Sequence, residues 1–248
     1  MDQEFEPVSK NLWVILPTYC EAENIPSVLK GLSECGLDLN ILVVDDNSPD
    51  GTAEIADEVR KNISNIEVLK RTTKTSLGDA YLAGFQQALS RGAKVIVTMD
   101  CDLSHDPLAV PALIESRCDK GCIVGSRYIC GGKIVNWPLR RLALSSAANW
   151  FVRMLFRMPV KDCTSGFRVY RSEIAEKILA AKIHSHGYSF QVEALLIAIN
   201  SGLGIHEFPI TFSERVSGVS KMGWNEINDG VRSLSALRLS LFRNPKSK

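Results

Sequence analysis

Five short apolar runs, each rich in β-branched residues and each leading into a polar loop and a helical pattern, constrain this chain more than any other feature. They are Leu12–Leu16, Ile41–Val44, Ile66–Leu69, Val95–Met99 and Gly121–Gly125. Such runs read as strands buried on both faces. Strands alternating with helices build βαβ units, so the chain is expected to be α/β, with a mostly parallel, doubly wound sheet. Its 248 residues are enough for one large domain with a substantial core. Residues 1–11 are polar and without period, and read as a loose tail ahead of a single domain over 12–248.

The polar segments after these strands carry the candidate chemistry. Pro17 is expected to stop the first ladder, and Asn24 to cap a helix running to about Cys35, with Pro26 in its first turn. Pro17, Thr18, Tyr19 and Glu21 then sit in a strand-to-helix loop. The second strand ends on Asp45 and Asp46, followed by the turn Pro49-Asp50-Gly51. Thr52 is expected to cap a helix to about Asn62. After the third strand, Lys70-Arg71-Thr72-Thr73-Lys74 is either a phosphate-binding loop or a solvated face. Ser76 then opens a helix to about Arg91, in which Gly78 and Gly84 permit close packing. A further helix is expected from Pro107 to about Cys118.

The fourth strand ends on Asp100-Cys101-Asp102-Leu103-Ser104. If the chain stays extended, side chains two apart share a face, so Asp100, Asp102 and Ser104 line one side of a sheet's carboxyl edge, where open parallel sheets bind ligands. Two carboxylates with few other ligands suit Mg²⁺ or Mn²⁺ carrying a substrate phosphate. Taken alone, a D-x-D reads more readily as two surface aspartates in a turn.

The second half reads differently. Leu139–Phe156 is a helix with aromatic and basic residues. The segment 162–170 returns toward the sheet, a helix spans about 189–200, and 205–212 is a strand that Pro209 demotes to an edge. A Gly/Ser-rich loop, 213–223, carries Arg215 and Lys221 and suits a lid over an anion. A last helix, about 225–242, puts Ile227, Val231, Leu234 and Leu241 on one face.

Composition narrows the function classes. The net charge of +1 gives no support for nucleic acid as a ligand. Seven cysteines form no C-x-x-C pair and no zinc spacing, and read as reduced intracellular thiols. His184 and His186 read as a solvated loop pair. No G-x-G-x-x-G follows the first strand, which argues against a dinucleotide-binding oxidoreductase. No apolar run nears the ~18 residues that span a bilayer, and no signal peptide is visible.

Seven motifs in order then identify a family. Pro17-Thr-Tyr-x-Glu21, Val44-Asp45-Asp46-x-Ser-Pro-Asp-Gly-Thr52, Leu77-Gly-x-Ala80, Met99-Asp-x-Asp-Leu-Ser-His105, Gly125-Ser-Arg-Tyr128, Thr164-Ser-Gly-Phe-Arg168 and Arg215-Val-x-Gly-x-Ser-Lys221 cover about 12–242. Together the chain resembles the catalytic domain of the dolichyl-phosphate mannosyltransferases and their polyprenyl-phosphate relatives among family 2 glycosyltransferases. The resemblance implies a GT-A-type nucleotide-sugar-binding fold with an antiparallel edge strand, a nucleotide half about 12–125 and an acceptor half about 126–242. It implies that Pro17, Tyr19, Glu21, Val44 and Asp46 hold the nucleoside. Asp100, Cys101 and Asp102 line the pyrophosphate and a Mg²⁺ or Mn²⁺ ion, with Ser104 as a further ligand. Arg127, Arg215 and Lys221 bind phosphates. Arg141 and Ser145, four apart on one helix face, join Arg127 and Arg215 at the acceptor phosphate. The catalytic set is Asp102, Arg127, Arg215 and Lys221.

The implied reaction moves mannose from GDP-mannose to a dolichyl or polyprenyl phosphate, with inversion. Charge builds on the departing pyrophosphate and is met by a divalent cation with Arg215 and Lys221, while the sugar passes through an oxocarbenium-like state. A phosphate monoester, with its second pKa near ~6, is already an anionic nucleophile and needs no general base, whereas a sugar hydroxyl does. Asp162, Glu173, Glu176 and Glu193 are candidates for such a base. UDP-glucose or another donor, and a soluble enzyme acting on a sugar hydroxyl, are the alternatives. The lipid acceptor implies a peripheral position at the cytoplasmic membrane face, alone or through a membrane-anchoring subunit. Trp137–Met158 and the last helix are the stretches suited to a bilayer surface, and both also suit packing on the domain.

Overall fold

The computed structural model describes residues 11–116, 119–181, 183, 189–214, 230, 232–235 and 237–239. In chain order, β1 (Leu12–Thr18), α1 (Ile25–Ser33), β2 (Leu39–Asp45), α2 (Thr52–Val59), β3 (Ile66–Lys70), α3 (Leu77–Ser90) and β4 (Val95–Thr98) alternate as expected. A single 3-10 turn, Pro107–Ala109, leads into α4 (Val110–Glu115) and then β5 (Cys122–Ser126). The second half holds β6 (Lys133–Val135), α5 (Leu139–Phe156), β7 (Arg168–Arg171), α6 (Ser172–Ala180), α7 (Ser189–Asn200), β8 (Ile205–Pro209) and β9 (Thr211–Ser213).

The main sheet has the order β3-β2-β1-β4-β7-β5-β8, and β6 pairs with β9 in a separate ribbon. The sheet is mostly parallel, and its antiparallel strand is β7, inserted between β4 and β5. The rim strand β8 runs parallel to β5. Both faces are covered, which explains the continuous apolar runs. Along β1, Leu12, Val14 and Leu16 face α1, α2 and α4, while Trp13 and Ile15 face α3, α5, α6 and α7. A Cβ on Gly84 would lie 2.6 Å from Ile15, and one on Gly78 2.9 Å from Phe190, so both glycines do set the close approach of α3.

Several local expectations need correction. Pro17 does not end β1, which stays paired with β2 through Thr18. Asp46 N–H donates to Thr18 O on the β2 side, and Met99 N–H to Ile15 O on the β4 side. Pro17 therefore faces the β4 side, just past the point where β4 has ended opposite Ile15, and no ladder bond is lost. Asn24 occupies the N-cap of α1 but makes no side-chain cap bond; its amide donates to Glu21 Oε2 instead. The N-cap of α2 is Gly51, in the left-handed region at φ 82°, because Thr52 turns its hydroxyl to Asp50. Ser76 does cap α3, in a capping box with Asp79.

The strand expected over 205–212 is divided at Ile210, after the proline, into the rim strand β8 and the ribbon strand β9. Asn11, counted with the tail, is tied down: its side chain bonds to Arg91 O, Gly92 O and Trp13 Nε1. Of the last helix, the described residues are helical and Leu234 is buried. Ile227, Val231 and Leu241 lie outside the described residues, as do His184, His186, Arg215 and Lys221.

Candidate active site

The parallel strands β1, β2, β3, β4 and β5 deliver their following loops to one edge of the sheet, and β7 starts there because it runs the other way. The first two loops are sewn together. Thr18 and Ser48 hydroxyls donate to Asp45 Oδ1 at 3.0 and 2.6 Å. Main-chain N–H groups of Cys20, Glu21 and Ala22 donate to Ser48, Thr52 and Asp50 at 2.9–3.1 Å. Burial pushes the Asp50 carboxyl up, but donors from Thr52 and Ala22 outweigh it and hold the group below its ordinary value. Asp45 and Asp50 are thus loop braces.

Asp46 remains, buried and paired with Arg71 at 2.7 Å; burial raises its carboxyl more than Arg71 lowers it. Tyr19 sits under Lys74, whose Nζ is 3.7 Å from the ring centroid. Of the residues expected at the nucleoside, Pro17, Tyr19, Val44 and Asp46 meet at adjacent strand ends. The Val44 side chain lies in the core and Glu21 accepts from Asn24, so at Val44 only the backbone faces the site.

The acidic stretch does not stay extended. After Thr98 the chain bends, Leu103 takes φ 60°, uncommon for a bulky residue, and Asp102 Oδ1 accepts the Ser104 N–H at 3.1 Å. Strand alternation therefore does not put Asp100, Asp102 and Ser104 on one face. Asp100 is the accessible carboxylate, its side chain 36% exposed, while Asp102 and Ser104 are 8% and 3% exposed. Ser104 is buried and its carbonyl accepts the Ser213 N–H. Among the described residues no three or more acidic, His or Cys side chains gather as a metal cage. An accessible carboxylate at Asp100, with a second two positions on at Asp102, is still the hard-oxygen donor type of a cation that keeps its waters and shares phosphate oxygens.

Asp100 is held on several sides. The Tyr81 hydroxyl donates to its Oδ1 at 3.3 Å, and its N–H donates to His105 Nδ1 at 3.3 Å. A Cβ on Gly166 would lie 3.2 Å from Oδ1. His105 is 1% exposed and stacks on Phe167. Burial, against the pull of Asp102, takes its pKa down to about 4, so the ring is neutral with its proton on Nε2. Cys101 is buried and burial pushes its thiol well up, leaving an inert side chain.

Arg127, expected to bind phosphate, is turned inward. Its Nε and Nη2 grip Asp162 at 2.7 and 2.8 Å, and Nη2 also reaches Thr164 at 2.9 Å. Asp162 is fully buried and also accepts the N–H of Arg127 and Ser165. Burial works against both charges, and each partner outweighs it: Asp162 stays low and Arg127 high. Only Nη1 of Arg127 is left for a ligand, and Asp162 is excluded as a general base. Glu173 and Glu176 follow the far end of β7, where Ser172 N–H bonds Lys94 O ahead of β4, so they lie at the opposite edge. Glu193 is 8% exposed on α7.

Helix α5 brings the expected acceptor residues to this place. Arg141 stacks on Trp137 with its centre 4.1 Å from the ring and pairs with Glu214 at 3.3 Å. Ser145 Oγ accepts from the Tyr128 hydroxyl at 2.8 Å. Buried Asn149 accepts the Cys163 N–H at 2.8 Å and donates to Thr164, docking α5 onto the Arg127–Asp162 pair. Arg168, fully buried, bonds Gln191 O, Cys163 O and the Tyr170 hydroxyl and fixes the same loop to α7. The outer face of α5 exposes Leu139, Trp150 and Met154.

Known proteins resemble this chain. Residues 13–179 match the family model for glycosyl transferase family 2. Polyprenol monophosphomannose synthase of Mycolicibacterium smegmatis is 44% identical over 228 residues, 91% of this chain and 85% of that protein. Undecaprenyl-phosphate mannosyltransferase of Micrococcus luteus is 42% identical over 217 residues, 88% of this chain and 89% of that one. Among solved structures, glucosyl-3-phosphoglycerate synthase of Mycobacterium tuberculosis, crystallised with Mn²⁺, UDP and glucosyl-3-phosphoglycerate, aligns with a TM-score of 0.67 at 19% identity, over 93% of this chain and 79% of that one. Mannosyl-3-phosphoglycerate synthase of Rubrobacter xylanophilus aligns with a TM-score of 0.64 at 17% identity, over 96% and 77%. At these identities the two structures bear on the fold alone.

Proposed function

The chain belongs to glycosyl transferase family 2, and from that premise we propose that it transfers mannose from GDP-mannose to a polyprenyl or dolichyl phosphate with inversion, giving a β-linked lipid-phosphate sugar. The names of its relatives supply the mannosyl group and the lipid phosphate. The observation that carries the reading is the pairing, at one sheet edge, of an open carboxylate, Asp100, with a basic and hydroxyl cluster, Arg141 and Ser145, on α5. One half suits the donor's pyrophosphate and the other an incoming phosphate.

Residue roles follow from that division. Pro17, Tyr19 and Asp46, with the backbone at Val44, hold the nucleoside, and Glu21 braces their loop. A Mg²⁺ or Mn²⁺ ion bound at Asp100 and Asp102 would neutralise charge on the departing diphosphate. Arg215 and Lys221 add positive charge to that leaving group. Arg141 and Ser145, with the Nη1 of Arg127, orient the acceptor phosphate for single displacement on the sugar's opposite face. That acceptor is an anion at neutral pH, so its attack needs no base. The locking of Asp162 by Arg127, and the place of Glu173 and Glu176 at the far edge, agree with a site that carries none.

No helix among the described residues is long and apolar enough to cross a membrane. Leu139, Trp150 and Met154 form an outward stripe on α5 opposite Arg141 and Ser145, flanked by Arg140, Arg153 and Arg157. In this reading α5 lies on the cytoplasmic membrane face, with its apolar side in the bilayer and its cations at anionic headgroups, alone or beside a membrane-anchoring subunit.

The test is a donor panel: GDP-mannose and UDP-glucose, each with dolichyl and undecaprenyl phosphate, with and without Mn²⁺. Mannosyl transfer from GDP-mannose, dependent on the cation, is expected. Preference for UDP-glucose would reassign the donor, and full activity in chelator would remove the metal.

A further inference from the structure

Tyr81 belongs to none of the roles above, yet its hydroxyl reaches the one open carboxylate of the acidic stretch. It sits on α3 at 0% exposure, its ring stacked on Phe190 with centroids 5.7 Å apart and planes 10° from parallel, and beside Phe85 at 6.5 Å. Helix α3 is itself pinned where Gly78 meets Phe190 and Gly84 meets Ile15. The ring therefore cannot swing, and a buried tyrosine hydroxyl needs a partner. That partner is Asp100 Oδ1, at 3.3 Å. The distance is long for an O–H···O bond, as active-site bonds commonly are before substrate arrives. In that bond the phenol O–H is the donor and the carboxylate the acceptor. From the other side, Gly166 leaves the space that a Cβ would take, 3.2 Å from Oδ1 and 3.4 Å from Oδ2. The Thr98 hydroxyl holds Gly166 O at 2.8 Å and so fixes that wall.

We propose that Tyr81 is a positioning residue of the transfer reaction: held rigid by Phe190 and Phe85, it fixes the Asp100 carboxylate against the wall at Gly166 and thereby sets the site's affinity for its divalent cation. This rests on the reading of Asp100 as the cation's carboxylate. Partners that orient a metal-binding carboxylate typically govern affinity by ten- to a hundredfold, of order. Tyr81→Phe keeps both ring contacts and removes only the oxygen. Gly166→Ala crowds the same carboxylate from the opposite wall.

The experiment is a Mn²⁺ titration of the full-length protein by electron paramagnetic resonance in the presence of GDP, with melting temperatures measured without metal. Tyr81→Phe is expected to weaken Mn²⁺ binding about tenfold while the metal-free melting temperature holds, and Gly166→Ala to weaken it as well. Mn²⁺ affinity unchanged in Tyr81→Phe, or a lowered melting temperature with affinity kept, would make Tyr81 a packing residue and overturn the proposal. Asp100→Asn separates the two ideas. If it leaves Mn²⁺ binding intact, Asp100 does not hold the cation; if it abolishes binding while Tyr81→Phe does nothing, only the positioning role fails.

Discussion

Arg127→Ala tests whether the residue is half of a buried clamp with only Nη1 turned to phosphate, or a phosphate ligand alone. The substitution strands Asp162, which is 0% exposed and keeps main-chain donors from Arg127 and Ser165 at 3.0 and 3.1 Å and longer contacts from the Thr164 N–H and hydroxyl at 3.4 and 3.5 Å, but no cation. Removing one partner of a buried, hydrogen-bonded ion pair costs about 3–5 kcal/mol. In a chain of 248 residues each kcal/mol moves the melting temperature by about 2–4 °C, so a fall of about 6–20 °C is expected by calorimetry at pH 7. The loss should change little with added salt, because the pair is shielded from solvent. Arg127→Lys should recover little of it, since an ammonium cannot make the two-pronged grip. Arg127→Met combined with Asp162→Leu should recover most of it, since no unpaired charge is then buried. A melting temperature within about 1 °C of wild type for Arg127→Ala, with only the KM for a phosphate-bearing substrate raised, would refute the clamp and leave phosphate binding as the residue's whole role.

Three further outcomes are expected. His105 has a folded pKa of about 4 against an ordinary 6.5, so the unfolded chain binds its proton first. Its share of stability, of order 3 kcal/mol, is present above pH 6.5 and is lost as pH falls from 6.5 toward 4; chemical denaturation of His105→Gln should show a shallower pH slope over that window, and an identical slope would exclude it. Glu214 is paired with Arg141 across a half-exposed gap of 3.3 Å, so Glu214→Gln should free the arginine and lower the KM for lipid phosphate by about two- to fivefold, an unchanged or raised KM counting against competition there. Binding to vesicles rich in anionic lipid should weaken by about tenfold in Trp150→Ser/Met154→Ser, measured by co-sedimentation at low salt, and equal binding of the variant would move the membrane contact off α5.

The strand and helix order over the first half was legible because both faces of the sheet are covered, so each strand is a continuous apolar run with polar loops between. The polar edge followed from that. β7 was not legible as a strand because Arg168-Val-Tyr-Arg171 carries a buried guanidinium at its start, whose Nη1 and Nη2 donate to carbonyls of Gln191 and Cys163 that no local pattern foretells. An extended course after Thr98 fails because a left-handed Leu103 and the Asp102 turn break the alternation. Arg127 and Asp162 lie 35 positions apart, so their mutual neutralisation appears only once β5 and the segment before β7 are adjacent. Tyr81 four residues before Phe85 reads as core packing on a helix face, which it is. Its contact with Asp100 leaves no periodic signal.

The central claim is that a phosphate monoester on a lipid is the nucleophile at this site. The most direct measurement compares undecaprenyl phosphate with undecaprenol as acceptor, using the purified protein, labelled GDP-mannose and Mn²⁺, and follows label in the extracted lipid. The account predicts mannosylated lipid phosphate and no transfer to the free alcohol. Transfer to undecaprenol or to a free sugar, with none to the lipid phosphate, would contradict it.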